Sequence, residues 1–167
     1  MKKIFLAVAF FVSSFSFSQQ EIKLDILDAL AFKTIEFSYE FYIGEQSSVG
    51  LSALFNFEKQ RVDIKYNEQR VITPYFRHYF SSEKQWNFFG EAFIAISSGT
   101  KTIENIGTSN TVFEDYTDGA FGVAVGYKYI ASDNLTVDLH IGFGRNLFSS
   151  FSPVLVPRIG VNVGYRF

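Results

Sequence analysis

The last nine residues of the printed sequence, Ile159 to Phe167, alternate strictly between two kinds of side chain. Every odd-numbered residue is apolar or aromatic, and every even-numbered residue is Gly, Asn or Arg. A period of two is typical of a β-strand with two unlike faces. In a soluble protein the apolar face would cover a core, whereas in a membrane barrel it would face lipid.

Four further segments alternate in the same way: residues 35–41, 49–57, 121–129 and 135–143. One face of the five segments is apolar or aromatic throughout, while the other carries Leu54 as its one large hydrophobe beside many glycines and charges. Glycine weakens a strand that faces water, but inside a small barrel it makes room for bulky charged neighbours. Nine residues at a rise of ~3.3 Å and a tilt of ~40° span roughly 23 Å, close to the ~25 Å apolar band of membrane barrels.

This patterning predicts an all-β fold, an eight-stranded antiparallel up-and-down transmembrane β-barrel. The predicted strands are Ile22–Leu30, Thr34–Ile43, Ser48–Glu58, Gln69–Phe80, Trp86–Ser97, Ala120–Ile130, Leu135–Arg145 and Pro157–Phe167. Most short polar turns alternate with longer links, as in barrels with tight periplasmic turns and longer external loops. The longest link, residues 98–119, is the predicted partner-binding loop.

Three strands have an ambiguous register. In strand one, Asp28 shares a face with Ile22 and Leu24, so a bulge or a different register is expected there. Strand four turns Pro74 outward, which favours an edge or a bulge. In strand five, Glu91 favours the register that points it inward, with Ile94 and Ile96 outward.

The first 18 residues have the layout of a secretory signal peptide. Lys2 and Lys3 precede an apolar run, and Ser16-Phe17-Ser18 supplies small residues for cleavage. The run is too short to span a bilayer, which needs ~20 residues. The expected domains are therefore a signal peptide at 1–18 and a barrel at 19–167. The chain has no Cys, and its net charge of −2 without a basic patch indicates no nucleic-acid partner.

The predicted inward face carries charges of both signs. They are Glu36, Glu40, Arg77, Glu91, Lys128, Asp138, His140, Arg158 and Arg166. Buried charges must be paired or solvated, and the interior of an eight-stranded barrel is just wide enough for side chains to fill. These residues are therefore expected to form a structural network that fills the barrel. The alternative is a narrow ion- or proton-conducting path along the same groups.

Catalytic and cofactor motifs are absent from the sequence. Small barrels that deacylate lipid A use a Ser, a His and an acid near the outer rim, with a His-x-Ser-Asn pattern that this chain lacks. His78 is predicted at the opposite end and His140 on the inward face. The acidic residues of the 98–119 link have no calcium-loop spacing. We expect no enzymatic activity, no cofactor and no metal site.

Several stretches resemble the small eight-stranded outer-membrane β-barrel family, which includes OmpX and the barrel half of OmpA. They are Ile72–Phe80, Trp86–Glu91 and Gly122–Tyr127. The aromatic ending at Tyr165 and Phe167 resembles the signal that the barrel-assembly machinery recognises. The resemblance implies this fold, contact with outer-membrane lipid and a location in the outer membrane of a Gram-negative cell. It does not imply a ligand.

The function expected from the sequence is non-enzymatic. The protein is expected to be a monomer that acts in envelope integrity or in adhesion to an extracellular partner through the 98–119 link. A third possibility is a soluble periplasmic lipocalin-like binder of apolar ligands, with the faces inside out. Phe37, Val123 and Val161 discriminate between the two arrangements, because they would line a cavity in the lipocalin-like binder and face lipid in the membrane barrel.

Overall fold

The structure is a computed structural model that describes residues 19–31, 34–57, 68–81, 85–104, 111–148 and 155–167. The expected signal peptide at 1–18 lies outside the described residues. Eight strands and one helix are described: β1 Gln20–Asp25, α1 Ile26–Ala31, β2 Thr34–Tyr42, β3 Ser47–Asn56, β4 Glu68–Tyr79, β5 Trp86–Glu104, β6 Thr111–Ile130, β7 Leu135–Asn146 and β8 Leu155–Arg166.

The strands form a closed barrel in sequence order, and β1 pairs with both β2 and β8. Every neighbouring pair is antiparallel, which confirms the predicted fold class. Gln20 and Phe167 exchange backbone hydrogen bonds beside the short turns, and we call this the terminal end. The other end, where α1 lies, we call the helix end. Within the described residues, no helix has the length and hydropathy needed to cross a bilayer.

The two faces of the wall differ in chemistry. Phe37 and Val123, which an inside-out binder would turn inward, are 51% and 48% exposed on the outside. Along β4 and β5, Ile72, Phe76, Ile94 and Ile96 also point outward, whereas Glu91 is buried inside. The barrel therefore has an apolar exterior and a largely polar interior.

The strand predicted at 22–30 is shorter than expected, with six residues in β1 where nine were predicted. β1 ends at Asp25, and residues 26–31 form α1 instead of continuing the wall. The expectation of a bulge or a shifted register around Asp28 was wrong. The local sequence explains the change, because Asp is a favoured residue just before a helix, while Leu and Ala are strong helix formers.

The link predicted at 98–119 is mostly strand. β5 continues to Glu104 and β6 begins at Thr111, with backbone pairing throughout, from Ser98 opposite Thr117 to Glu104 opposite Thr111. β4 pairs with β5 only as far as Gly99, and β7 pairs with β6 only as far as Ala120. Within the described ranges, the end of the hairpin is thus a two-stranded ribbon that extends past the ends of β4 and β7.

Glycines on the inward face lie against bulky side chains. A Cβ atom on Gly50 would collide with the Tyr75 ring, and one on Gly122 with Phe93. The expected role for these glycines was room for charged neighbours, and Gly164 meets that description beside Glu21 and Lys23. Aromatic rings are therefore a second group of neighbours that need the missing Cβ, and Phe89 beside Gly126 is a further case.

Candidate functional site

The barrel interior brings together the charged residues singled out in the sequence. Glu40, Arg77, Glu91, Lys128, Asp138, His140 and Arg158 are buried, while Glu36 and Arg166 are partly buried at opposite ends. Glu21, Lys23 and Asp25 join them from β1 and were not singled out. The sequence does contain a signal for their inward position, because these three residues alternate with the outward Ile22 and Leu24.

Glu40 is the hub of the network. Its Oε2 atom accepts a hydrogen bond from the Lys23 ammonium, lies 3.1 Å from Lys128 Nζ and lies 3.4 Å from Arg77 Nη1. Its Oε1 atom accepts hydrogen bonds of 2.5 Å from the hydroxyls of Ser48 and Tyr79. Five donors therefore satisfy one carboxylate that has no access to solvent.

Asp138 is a second centre of the same network, contributed by β7. Its Oδ2 atom lies 2.9 Å from both Lys23 Nζ and Arg77 Nη1. Its Oδ1 atom accepts a 2.9 Å hydrogen bond from the side-chain amide of Asn162 and lies 3.7 Å from His140 Nδ1. Asp138 and Glu40 thus share two cations across the lumen, which ties β7 to β2.

Ion pairs continue toward both ends of the barrel. At the terminal end, Glu21 Oε2 lies 3.1 Å from Lys128 Nζ and 3.4 Å from Arg166 Nη2. Toward the helix end, Glu91 accepts 2.6 Å hydrogen bonds from Arg77 Nε and Arg158 Nε. Arg158 then reaches Glu36 at 3.5 Å. A chain of charged contacts therefore runs through the lumen.

Among the described residues, the ion pairs join five carboxylates to five cations besides His140, and Asp25 is a further buried carboxylate beside them. Aromatic rings cover the cations: the guanidinium carbon of Arg77 lies 4.2 Å from the centre of the Phe89 ring and 4.8 Å from that of Tyr75. We call this network of ion pairs and covering rings the plug.

Three carboxylates of the plug lie close enough to hold a cation. Oxygen atoms of Glu21, Glu40 and Asp138 lie within 4.8 Å of one another. The ammonium groups of Lys23 and Lys128 already lie among them. The positive charge at this point is therefore supplied by side chains of the protein.

The wall changes character where β1 ends. β2 pairs with β1 only as far as Phe37, and β8 only as far as Asn162, so the rest of both edges faces α1. Asp25 Oδ1 accepts backbone hydrogen bonds from Leu27 at 2.9 Å and Asp28 at 3.1 Å, which caps α1. The same atom accepts the Val161 N–H of β8 at 3.3 Å. We call this region, between Thr34–Glu36 of β2 and 155–161 of β8, the seam.

A small cavity of about 40 Å³ lies inside the helix end of the barrel, beside the seam. Its apolar lining consists of Leu54, Val71, Phe93, Ala95, Val156, Pro157 and Ile159. Arg158, Glu36, His140, Thr73 and Asp28 add polar atoms. A volume of this size accommodates about three water molecules, at ~10–15 Å³ each by this measure.

Outside the barrel, His78 has a partner that sequence reasoning missed. Its Nδ1 atom lies 3.1 Å from Ser47 Oγ, across the pairing of β3 with β4 near the terminal end. Among the described residues, no carboxylate is hydrogen-bonded to His78 to complete a catalytic triad. The Ser47–His78 pair lies beside a row of aromatic rings, since the ring centres of His78 and Phe80 are 5.2 Å apart.

That row belongs to an aromatic belt on the outside of the terminal end. Ring centres lie 5.6 Å apart in Phe80–Phe88, 5.0 Å in Phe88–Tyr127 and 4.6 Å in Trp86–Tyr129. Tyr165 and Phe167, the predicted assembly signal, stack at 6.5 Å and are exposed on the same end. Amphipathic rings in such a band suit a membrane–water interface.

Comparisons with solved structures show the same fold in three outer-membrane and surface proteins. The N-terminal β-barrel domain of Pseudomonas aeruginosa OprF is 12% identical with a TM-score of 0.64, covering 90% of this chain and 96% of that one. Ail of Yersinia pestis is 12% identical with a TM-score of 0.51 and coverages of 90% and 99%. Neisserial surface protein A is 12% identical with a TM-score of 0.52 and coverages of 89% and 94%.

At sequence level, none of the curated proteins matches this chain. A family match covers residues 3–151, which is most of the sequence. The chain therefore belongs to the family described as "Protein of unknown function (DUF3575)".

Proposed function

We propose that this protein is a non-enzymatic outer-membrane β-barrel whose plugged interior holds it rigid while its projecting hairpin contacts a partner outside the cell. The observation that carries the membrane location is the outward face, where Phe37, Leu51, Val123, Leu139 and Ile141 are about half exposed. A water-soluble barrel would not expose such a continuous apolar surface. The aromatic belt at one end adds support.

The hairpin formed by residues 98–119 is the proposed contact element. Its ribbon extends past the described ends of β4 and β7, and no strand of the described residues pairs with its outer edges, which suits the addition of a partner's strand. The fold is also that of Ail, which is called the attachment invasion locus protein of Yersinia pestis. Adhesion or partner binding by this chain is our proposal.

The membrane location is tested by refolding residues 19–167 in detergent. A closed barrel gives β-rich circular dichroism and a gel mobility that changes on boiling. A protein that is monomeric without detergent and shows no shift would contradict the proposal.

The role of the hairpin is tested by removing residues 100–115 and joining Gly99 to Tyr116 through an Asn-Gly turn. Cells that display either version are scored for self-aggregation, for adhesion to immobilised proteins and polysaccharides, and for detergent sensitivity. We expect loss of adhesion with an unchanged heat-dependent gel shift. Adhesion that survives the truncation would exclude the hairpin, and increased detergent sensitivity alone would assign the protein to envelope integrity.

A second candidate function is a narrow ion or proton path. The observation that favours it is the series of ion pairs from Arg166 through Glu40 and Arg77 to Glu36. Planar-bilayer currents that vanish on Glu40→Gln or Arg77→Gln would establish it. Absence of current in the unmodified protein would leave the plug as the sole role of these charges.

A further inference from the structure

The cavity at the helix end reaches the edge of the barrel wall at the seam. Leu54, Val71 and Phe93 line it from the inward face, and Pro157 and Ile159, whose side chains belong to the outward face of β8, also line it. At this edge β8 has no β1 partner, and α1 takes the place of a paired strand.

The backbone of β8 is adapted to an incomplete wall at this point. Odd-numbered residues of β8 direct their backbone groups toward β1, as shown by Phe167 with Gln20 and Val161 with Asp25. Past Asn162 there is no β1 residue to receive them. Pro157 has no N–H to leave unpaired, and the Asp25 carboxylate takes the Val161 N–H.

The part of the wall that fills the seam is a short helix. α1 has six residues and packs against β2 and β8 without strand pairing. A helix this short is unstable alone. Its links to the barrel include the Asp25 cap and a 3.3 Å hydrogen bond from Thr34 Oγ1 to the Asp28 carbonyl. Leu30 is 85% exposed, so the outward side of α1 is apolar like the strands beside it.

We propose that the seam is a lateral entry through which an acyl chain of a membrane lipid reaches the helix-end cavity when α1 moves aside. The inference rests on the proposed membrane location, because lipid is then the medium in contact with Pro157 and Ile159. The occupant follows from the chemistry: the seam adjoins the apolar exterior, and seven of the twelve residues that line the cavity are apolar. The cationic group there, Arg158, is already paired with Glu91 and Glu36, which leaves no free charge for an anionic headgroup.

The size of the cavity requires the movement of α1. About 40 Å³ is less than an acyl chain segment of a few carbons needs, so the described state is the closed one. Displacing a short capped helix is less costly than breaking a strand from the sheet, because the helix carries its own backbone hydrogen bonds with it.

The experiment uses the unmodified barrel in phosphatidylcholine vesicles that contain a lipid with a diazirine near the end of one acyl chain. After irradiation, adducts are mapped by mass spectrometry. We expect adducts on outward residues of every strand and also on Leu54, Val71 and Phe93. The internal control is Phe89, which is fully buried on the same strand as Phe93 but away from the cavity.

The possible outcomes separate this inference from the proposed function. Adducts confined to outward residues would overturn the lateral entry and leave the membrane location standing. Absence of adducts on outward residues would overturn the membrane location itself. Equal labelling of Phe89 and Phe93 would show general penetration of the lumen, which also contradicts a local entry.

Two variants test the path from opposite directions. Ala95→Leu adds three carbons to the cavity lining, so labelling of Leu54 and Val71 should be lost while labelling of Ile94 and Ile96 stays unchanged. Asp25→Ala removes the α1 cap, so labelling of Leu54 and Val71 should increase. If Ala95→Leu fails to show a heat-dependent gel shift, the Asp25→Ala result decides, and unchanged labelling in it would overturn the proposal.

Discussion

The Asp25 carboxylate accepts the backbone N–H of Val161 at the point where β1 stops, which extends the link between the first and last strands past their final paired residues. The same oxygen caps α1 through Leu27 and Asp28. One side chain therefore ends a strand, begins a helix and covers an amide of the open β8 edge.

Asp25→Ala should destabilise the seam locally. Loss of a helix cap costs about 1–2 kcal/mol, and the Val161 amide also loses its acceptor. Hydrogen exchange should accelerate at Leu27, Asp28 and Val161, while the Tyr42 amide, bonded to the Gln19 carbonyl at the other end of the wall, keeps its rate. Asp25→Asn retains an acceptor oxygen, so its exchange rates should lie between those of the unmodified protein and those of Asp25→Ala. Uniform acceleration across the barrel would mean that the residue acts on global stability instead.

Glu40→Gln should cost about 3–5 kcal/mol of unfolding free energy, because it leaves Lys23, Lys128 and Arg77 without their shared acid in a buried site. The matched control is Glu36→Gln. Its side chain is 12% exposed and has one ion pair at 3.5 Å, so its loss should cost about 1 kcal/mol or less. Denaturant unfolding in lipid vesicles measures both variants. Equal costs would contradict the role of Glu40 as the hub.

Gly50→Ala should destabilise the barrel by about 1–3 kcal/mol through overpacking, because the new methyl group overlaps the buried Tyr75 ring. Gly44→Ala is the control, since no atom lies within 4 Å of its Cβ position. In a Tyr75→Leu background the Gly50→Ala penalty should shrink, which a double-mutant cycle measures. An unchanged penalty would show that the backbone, and not the ring, requires glycine.

Val125→Arg should cost about 2–4 kcal/mol in lipid vesicles, because Val125 is outward and near the middle of the proposed membrane span. Leu135→Arg is the control. It is also outward but begins β7 beside a turn, so an interfacial position predicts a cost of about 0–1 kcal/mol. Similar small costs for both variants would contradict a lipid-facing exterior and with it the membrane location.

The sequence predicts the strands of the barrel wall more completely than the side-chain contacts inside the barrel. The period of two is a local property of the chain, so the strands around Glu40, Val123 and Asp138 and the faces of their side chains could be predicted residue by residue. The inward position of Glu91 followed from the cost of a charge on an apolar face. The helix at 26–31 was missed because Ile26 continues the alternation of Ile22 and Leu24, while the change to a helix depends on the cap that Asp25 makes.

The sequence by itself thus determined an eight-stranded antiparallel barrel with an apolar exterior and a charged interior. Only the tertiary structure decided which charges meet, because Lys23 and Asp138 lie 115 residues apart and come within 2.9 Å through closure of the sheet. It also decided that the wall is incomplete beside β8. That feature depends on where two distant strand edges stop pairing, and periodicity along one strand carries no information about its neighbour.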